Sequence, residues 1–404
     1  MKSHSIGMAA LALALAPQAG AQSAPAPASS DVGPAPEAPP TPARLPAAGS
    51  MIDTAPLPAA LGLADAGTAL RILYTATNGI TGTRSVAVTG ALFLPKGTPP
   101  RDGWPVVAWA HGTVGIGDGC APSANPRSER DSTYLNGWLR EGYAVVATDY
   151  EGLGGPGPHP YLNTRAEAWS VLDSVRAALG ATVGGTRLPL ANKVLIVGQS
   201  QGASAAFATT IAARGYAPQV NVLGTIATGI PYLTGALPPR ANIDQVDRTI
   251  AYLFYIAAAA GEVDPALKAD TVFTPAAMPL VHAAAQRCVA DMMTATVQAG
   301  MTRRRTLQGD FVAYYASFLR NTAYATLKTA TPVFVGTGEQ DIDVPTPMQK
   351  ALVRDACKAG TRIQFHLYPG LDHSGTLNPS FADSRLFARQ LLEGRPVETN
   401  CPAS

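Results

Sequence analysis

Charge is scarce in this sequence. Lys and Arg number 30 and Asp and Glu 28 in 404 residues, a formal net charge of +2, so there is no electrostatic footprint for a nucleic-acid partner. Long apolar runs are lacking too. The N-terminal one, Ile6 to Ala16 (IGMAALALALA), falls short of the roughly 18 to 20 residues that a membrane span needs, and no later run reaches that length. Only four cysteines occur, Cys120, Cys288, Cys357 and Cys401, and none belongs to a C-x-x-C pair or a Cys/His cluster. A zinc site therefore has no ligand pattern to rest on.

What is present begins with a targeting signal. Lys2, the apolar run and the small residues Ala19-Gly20-Ala21 predict a signal peptide over residues 1–21, cleaved after Ala21. Residues 22–50 are rich in Pro and Ala (APAPASSDVGPAPEAPPTPARLP) and cannot bury enough surface to offset chain entropy, so they read as a disordered leader. The expectation is an exported, soluble protein, periplasmic or extracellular. An even number of cysteines in an oxidising compartment favours two disulfides, with three pairings open.

The folded part is long enough for a sizeable core. Ala69 to Thr77 and Val86 to Pro95 flank the turn-forming NGITGTR and read as an antiparallel hairpin. Short apolar runs then alternate with helical stretches: PVVAWAHG, YAVVATDYEG, KVLIVGQS, VLGTIATG, PVFVGTG and IQFHLYPG. Runs of this kind suit strands buried on both faces, which predicts an α/β fold with a mostly parallel sheet flanked by helices. The alternation stops over residues 230–331, where IDQVDRTIAYLFYIAAAAG and GDFVAYYASFLRNTAYATL carry apolar residues at helical spacing. That segment reads as a helical cap inserted into a core formed by residues 51–229 and 332–404. Its aromatic residues, Tyr252, Phe254 and Tyr255 among them, are read as helix packing before pocket lining.

The run KVLIVGQS leads into Gly198-Gln199-Ser200-Gln201-Gly202 and a small-residue helix. A G-x-S-x-G between a buried strand and a helix is a nucleophile elbow, which lifts Ser200 above the sheet edge. A serine hydroxyl needs a base within hydrogen-bond reach. Of the six histidines, His373 in YPGLDHSGTL follows the last strand, whereas His111, His159, His282 and His366 lie in other contexts and His4 in the signal peptide. The orienting acid should come from the loop VGTGEQDIDVPTP, which offers Glu339, Asp341 and Asp343. The order serine, acid, histidine is that of an α/β hydrolase. Asp372 reads as a loop cap. An oxyanion hole needs two backbone donors: the amide of Gln201, directly after the serine, and one from the turn AHGTVG, where Thr113 is preferred over Val114 and His111 supports the turn.

GQSQG, HGTVGIGDGCAPS, DYEGLGGPGPHPYL and the loop GEQDIDVP followed by GLDHSG resemble the secretory lipase family, α/β hydrolases related to yeast lipase A. The likeness runs from about Leu70 to Cys401 and is weakest in the cap. It implies an α/β-hydrolase fold with a helical cap, a Ser200–Asp341–His373 triad with Asp341 favoured over Asp343 by a D-x-x-V-P pattern, and no metal or organic cofactor. It also implies the disulfides Cys120–Cys288 and Cys357–Cys401. The implied activity is carboxylic-ester hydrolysis on a small-molecule or lipid ester, with transient contact to a lipid interface and no stable protein partner. The oxyanion turn departs from the yeast relative, which carries an acidic side chain where this chain reads HGTVG. Two competing readings are a serine peptidase or acyltransferase on the same triad, and a silent binding protein on the hydrolase scaffold.

Overall fold

The computed structural model describes residues 44–233, 237 and 242–401. The expected signal peptide (1–21) and residues 22–43 of the leader lie outside the described residues. The chain is tied into the sheet from Gly49 onwards, where the Gly49 amide donates to Thr75 O and the Thr75 amide to Ser50 O.

The apolar runs become strands: β1 (Met51–Pro56), β2 (Ala66–Thr77), β3 (Ser85–Pro95), β4 (Trp104–Ala110) and β5 (Ala144–Thr148). After a two-stranded turn, β6 (Thr182–Val183) with β7 (Thr186–Arg187), come β8 (Leu190–Gln199), β9 (Val222–Thr228), β10 (Val333–Gly338) and β11 (Ile363–Tyr368). Nine of them form one sheet in the order β1-β2-β3-β5-β4-β8-β9-β10-β11. The β2–β3 hairpin is in register from Ala69 opposite Phe93 to Thr77 opposite Ser85. Pairing is antiparallel from β1 to β5 and parallel from β5 to β11.

Alternation along each central strand fills two cores. Val106, Ala108, Val194 and Ile196 face one way, and Val107, Trp109, Leu195 and Val197 the other. With both faces apolar, each needs a helical layer. One face is covered by α1 (Glu129–Arg140) and α11 (Phe381–Leu392), through Tyr134, Trp138 and Phe387. The other is covered by α2 (Thr164–Gly180) and α3 (Gln201–Tyr216), with α10 (Thr346–Lys358) beside α3 over β10 and β11.

Between β9 and β10 the chain builds a helical segment with its own core around Phe254, Phe273, Phe311 and Tyr315. It contains α4 (Ile250–Val263), α5 (Met278–Ala284), α6 (Val289–Gln298) and the single turns α7 (Arg303–Thr306), α8 (Phe311–Tyr314) and α9 (Ala316–Leu319). Two apolar periodicities do not become continuous helices. In IDQVDRTIAYLFYIAAAAG the helix starts only at Ile250, because the Asp247 carboxylate accepts from the Thr249 amide and hydroxyl, a local turn that competes with helix. In GDFVAYYASFLRNTAYATL, Asp310 caps α8 by accepting from the Ala313 amide, and Tyr315 at φ −91°, ψ 16° separates it from α9. Cys120 is disulfide-bonded to Cys288, tying this segment to the loop after β4, and Cys357 to Cys401, tying the C-terminal tail to α10.

Candidate active site

β8 ends at Gln199 and α3 begins at Gln201, so Ser200 alone turns the chain between them. It does so at φ 58°, ψ −124°, a backbone region costly for a residue with a side chain. The turn is held by its Ser200 amide, which donates to Thr228 O at 2.9 Å, and by its carbonyl, which accepts from the Ala203 and Ser204 amides. The two flanking glycines follow from space. A Cβ on Gly202 would stand 1.9 Å from the carbonyl oxygen of Ala110, and one on Gly198 2.0 Å from that of Gly202.

His373 arrives from the loop after β11. Its Nδ1 lies 2.7 Å from Asp341 Oδ2, and both side chains are buried. Asp341 is itself fixed by the Val344 amide on Oδ1 and the Gln349 side-chain amide on Oδ2. A carboxylate accepts, so the imidazole carries its proton on Nδ1 and turns the Nε2 lone pair towards the elbow. There it meets the Gln199 side-chain amide at 3.1 Å. Among the described residues no hydrogen bond joins Ser200 Oγ to His373.

Asp343 has a different partnership. Arg248 grips both of its carboxylate oxygens, Nη1 to Oδ1 at 2.8 Å and Nη2 to Oδ2 at 2.5 Å, and Tyr252 Oη donates to Oδ1 at 2.8 Å. It anchors the start of α4 rather than the imidazole. Asp372 caps its own loop by accepting from the Gly375 amide.

As the first residue of α3, Gln201 has a backbone N–H without an intrahelical acceptor, and Gln201, Thr113 and Ser200 border the same cleft. Val114 does not line that cleft; its carbonyl accepts from the Val289 amide of the inserted segment. Thr113 Oγ1 is 2.8 Å from Tyr161 Oη. His111 is buried beneath the turn, its ring against the carbonyls of Gly112 and Asp149, and burial lowers its pKa.

The Gln201 side chain points inward. Its Nε2 donates to Glu167 Oε1 at 2.7 Å and to His159 Nε2 at 3.3 Å. His159 can accept there because its Nδ1 donates to Glu151 O and burial lowers its pKa to about 4, leaving it neutral. Glu167, Tyr161 and Gln199 were not legible as site residues in the sequence, and His159 had no role there. Glu167 finds its partners 5 and 34 residues away, a separation that no local pattern encodes.

Above these residues lies a cleft with an enclosed volume of about 120 Å³ that opens to solvent. Pro231, Leu233, Ile250, Leu253, Ile256, Val344 and Met348 give it apolar walls, and Asp247, Thr249, Tyr252, Arg303 and Asp343 a polar section. Of the aromatic residues of α4, only Tyr252 lines it; Phe254 and Tyr255 are packed in the core of the inserted segment.

The family model of the secretory lipases matches residues 127–377, more than half of the chain. The chain belongs to the secretory lipase family. Among curated members, lipase A of Moesziomyces aphidis is 27% identical over 198 residues, covering 46% of this chain and 40% of that protein. A secreted triacylglycerol lipase of Malassezia globosa is 25% identical over 306 residues, covering 70% and 64%. The chain thus spans less than two thirds of the length of these relatives. Lipase A of Candida antarctica in its closed state superposes with a TM-score of 0.69 at 18% identity over 88% of this chain and 84% of that one. The rice cell wall degrading esterase LipA of Xanthomonas oryzae superposes with a TM-score of 0.67, also at 18% identity, over 87% and 100%. At such identities the likeness establishes the fold, that of the α/β hydrolases.

Proposed function

We propose that this member of the secretory lipase family is a serine carboxylic-ester hydrolase, a lipase or esterase. The observation that carries the reading is the buried Asp341–His373 pair at 2.7 Å, delivered to the end of β8 where Ser200 stands on its elbow. Ser200 Oγ attacks the ester carbonyl carbon while His373 Nε2 takes its proton, and Asp341 orients the imidazole and stabilises its cation. The negative charge moves to the carbonyl oxygen, held by the backbone N–H groups of Gln201 and Thr113. Collapse expels the alcohol, which takes the proton from His373. Water, deprotonated by the same imidazole, then releases the acid from the acyl-enzyme. No step calls for a metal or an organic cofactor.

The apolar walls of the cleft favour an apolar acyl chain. The substrate is a small-molecule or lipid ester, met in solution or at a lipid interface, and the enzyme works without a stable protein partner. The family and the two disulfides point to export, with residues 1–21 as the signal peptide and the periplasm or the medium as destination. The test is hydrolysis of p-nitrophenyl esters from acetate to long chains, with and without a lipid interface. Ser200→Ala is expected to lower kcat by about a million-fold with the fold intact; wild-type turnover in that variant would refute the assignment.

A further inference from the structure

Behind the oxyanion turn, on the side away from the cleft, sits an acid that the proposed chemistry does not use. Glu167, in the first turn of α2, is 1% exposed. Its Oε1 accepts from Gln201 Nε2 at 2.7 Å and from the Leu162 amide at 3.0 Å, and its Oε2 is buried with no hydrogen-bond partner among the described residues. Both partners border the cleft. Gln201 carries one of the proposed oxyanion donors, and Leu162 adopts a left-handed φ of 61° that its side chain disfavours. One carboxyl oxygen thus ties a strained piece of cleft wall to the residue beside the nucleophile.

We propose that Glu167 is a positioning residue: by holding the Gln201 side chain against α2, together with His159, it sets the depth at which the Gln201 backbone N–H faces the developing oxyanion. A donor displaced by about an ångström loses most of its value to a transition state, and the Gln201 amide heads a helix that this pair of bonds ties to α2 and the loop before it. The proposal rests on the ester-hydrolase reading given above.

The environment also makes the arrangement sensitive to alkali. Burial raises the Glu167 carboxyl to about 8, so near neutral pH it is uncharged. Above that value it becomes an anion on the far side of Gln201, opposing negative charge in the oxyanion hole. The other groups facing it stay neutral through this range. His159 is held down at about 4, and Tyr150, Tyr161 and Tyr324, which share its field, are all pushed up from the ordinary tyrosine value by burial.

The experiment is the pH profile of kcat and KM on a p-nitrophenyl ester for the full chain, wild type against Glu167→Gln and Glu167→Ala. Glu167→Gln keeps an acceptor oxygen for Gln201 and Leu162 and cannot ionise. It is expected to match wild-type kcat at neutral pH and to lose the alkaline fall near pH 8. Glu167→Ala is expected to lower kcat about tenfold to hundredfold with KM within about twofold, since the ground state makes little use of the oxyanion donor. A Glu167→Ala enzyme with wild-type kcat overturns the proposal; should that variant fail to fold, an unchanged alkaline limb in Glu167→Gln overturns it. Wild-type protein that neither hydrolyses esters nor reacts with a fluorophosphonate refutes the hydrolase reading itself, whereas an active wild type with indistinguishable variants refutes only the role of Glu167.

Discussion

Asp341 and Asp343 stand two residues apart in one loop, both with buried carboxylates, and the fold gives them different partners. Asp341 takes His373, and Asp343 takes Arg248 and Tyr252. Asp341→Asn removes the acceptor that fixes the imidazole tautomer and is expected to lower kcat by about 10⁴-fold. Asp343→Asn breaks a charge pair that borders the cleft, so KM and the thermal midpoint should move while kcat changes by less than about tenfold. Steady-state kinetics of the two variants side by side check this, and a reversed pattern would transfer the orienting role to Asp343. Ser200 and His373 could be proposed from the sequence because each follows its own strand in hydrolase order. The choice between the two aspartates came only from the family pattern D-x-x-V-P, since the residues by themselves do not show which carboxylate an arginine from another element reaches. The residues beneath the turn after β4 were hidden for a related reason: Gln201 stands out as the neighbour of Ser200, but its side-chain partners come from α2 and the loop before it.

At the scale of elements, the elbow is a packing problem solved by two glycines. With Ala110 O only 1.9 Å from the position a Cβ would take, Gly202→Ala must push α3 away from β4, and neither partner is a flexible side chain that can yield. The expected loss is about 3 kcal/mol or more, read as a lowered urea midpoint; an unshifted midpoint would mean the strand and helix are not so closely packed. Six strands of the sheet were readable as apolar runs, since burial on both faces leaves little room for polar residues, and β2 and β3 as a hairpin; the edge strand β1, largely unburied, was not read. The helices between β9 and β10 were readable only as a helical region. Their boundaries are set by side chains that bond back to the chain, Asp247 before α4 and Asp310 before α8, and an apolar period is blind to such bonds.

For the whole molecule, two disulfides do unequal work. Cys120–Cys288 closes 168 residues of chain and Cys357–Cys401 closes 44. If the disulfides act mainly on the unfolded chain, replacing the first pair by Ala should cost about 1 kcal/mol more than replacing the second, within an expected loss of about 2–5 kcal/mol each. Paired denaturant titrations measure the difference, and an equal or reversed loss would show that local packing, not loop closure, sets their value. The longer one also ties the segment above the cleft to the loop after β4, so its removal bears on the geometry of the site as well as on stability. The serine-based ester hydrolysis proposed above is a property of the assembled molecule. The most direct measurement is the intact mass after treatment with a fluorophosphonate, followed by an ester-hydrolysis assay on the same sample. One phosphonyl group per chain, carried by Ser200, is expected, with hydrolysis abolished in proportion. A chain that gains no mass, gains it on another residue, or goes on hydrolysing esters when fully labelled would contradict that mechanism.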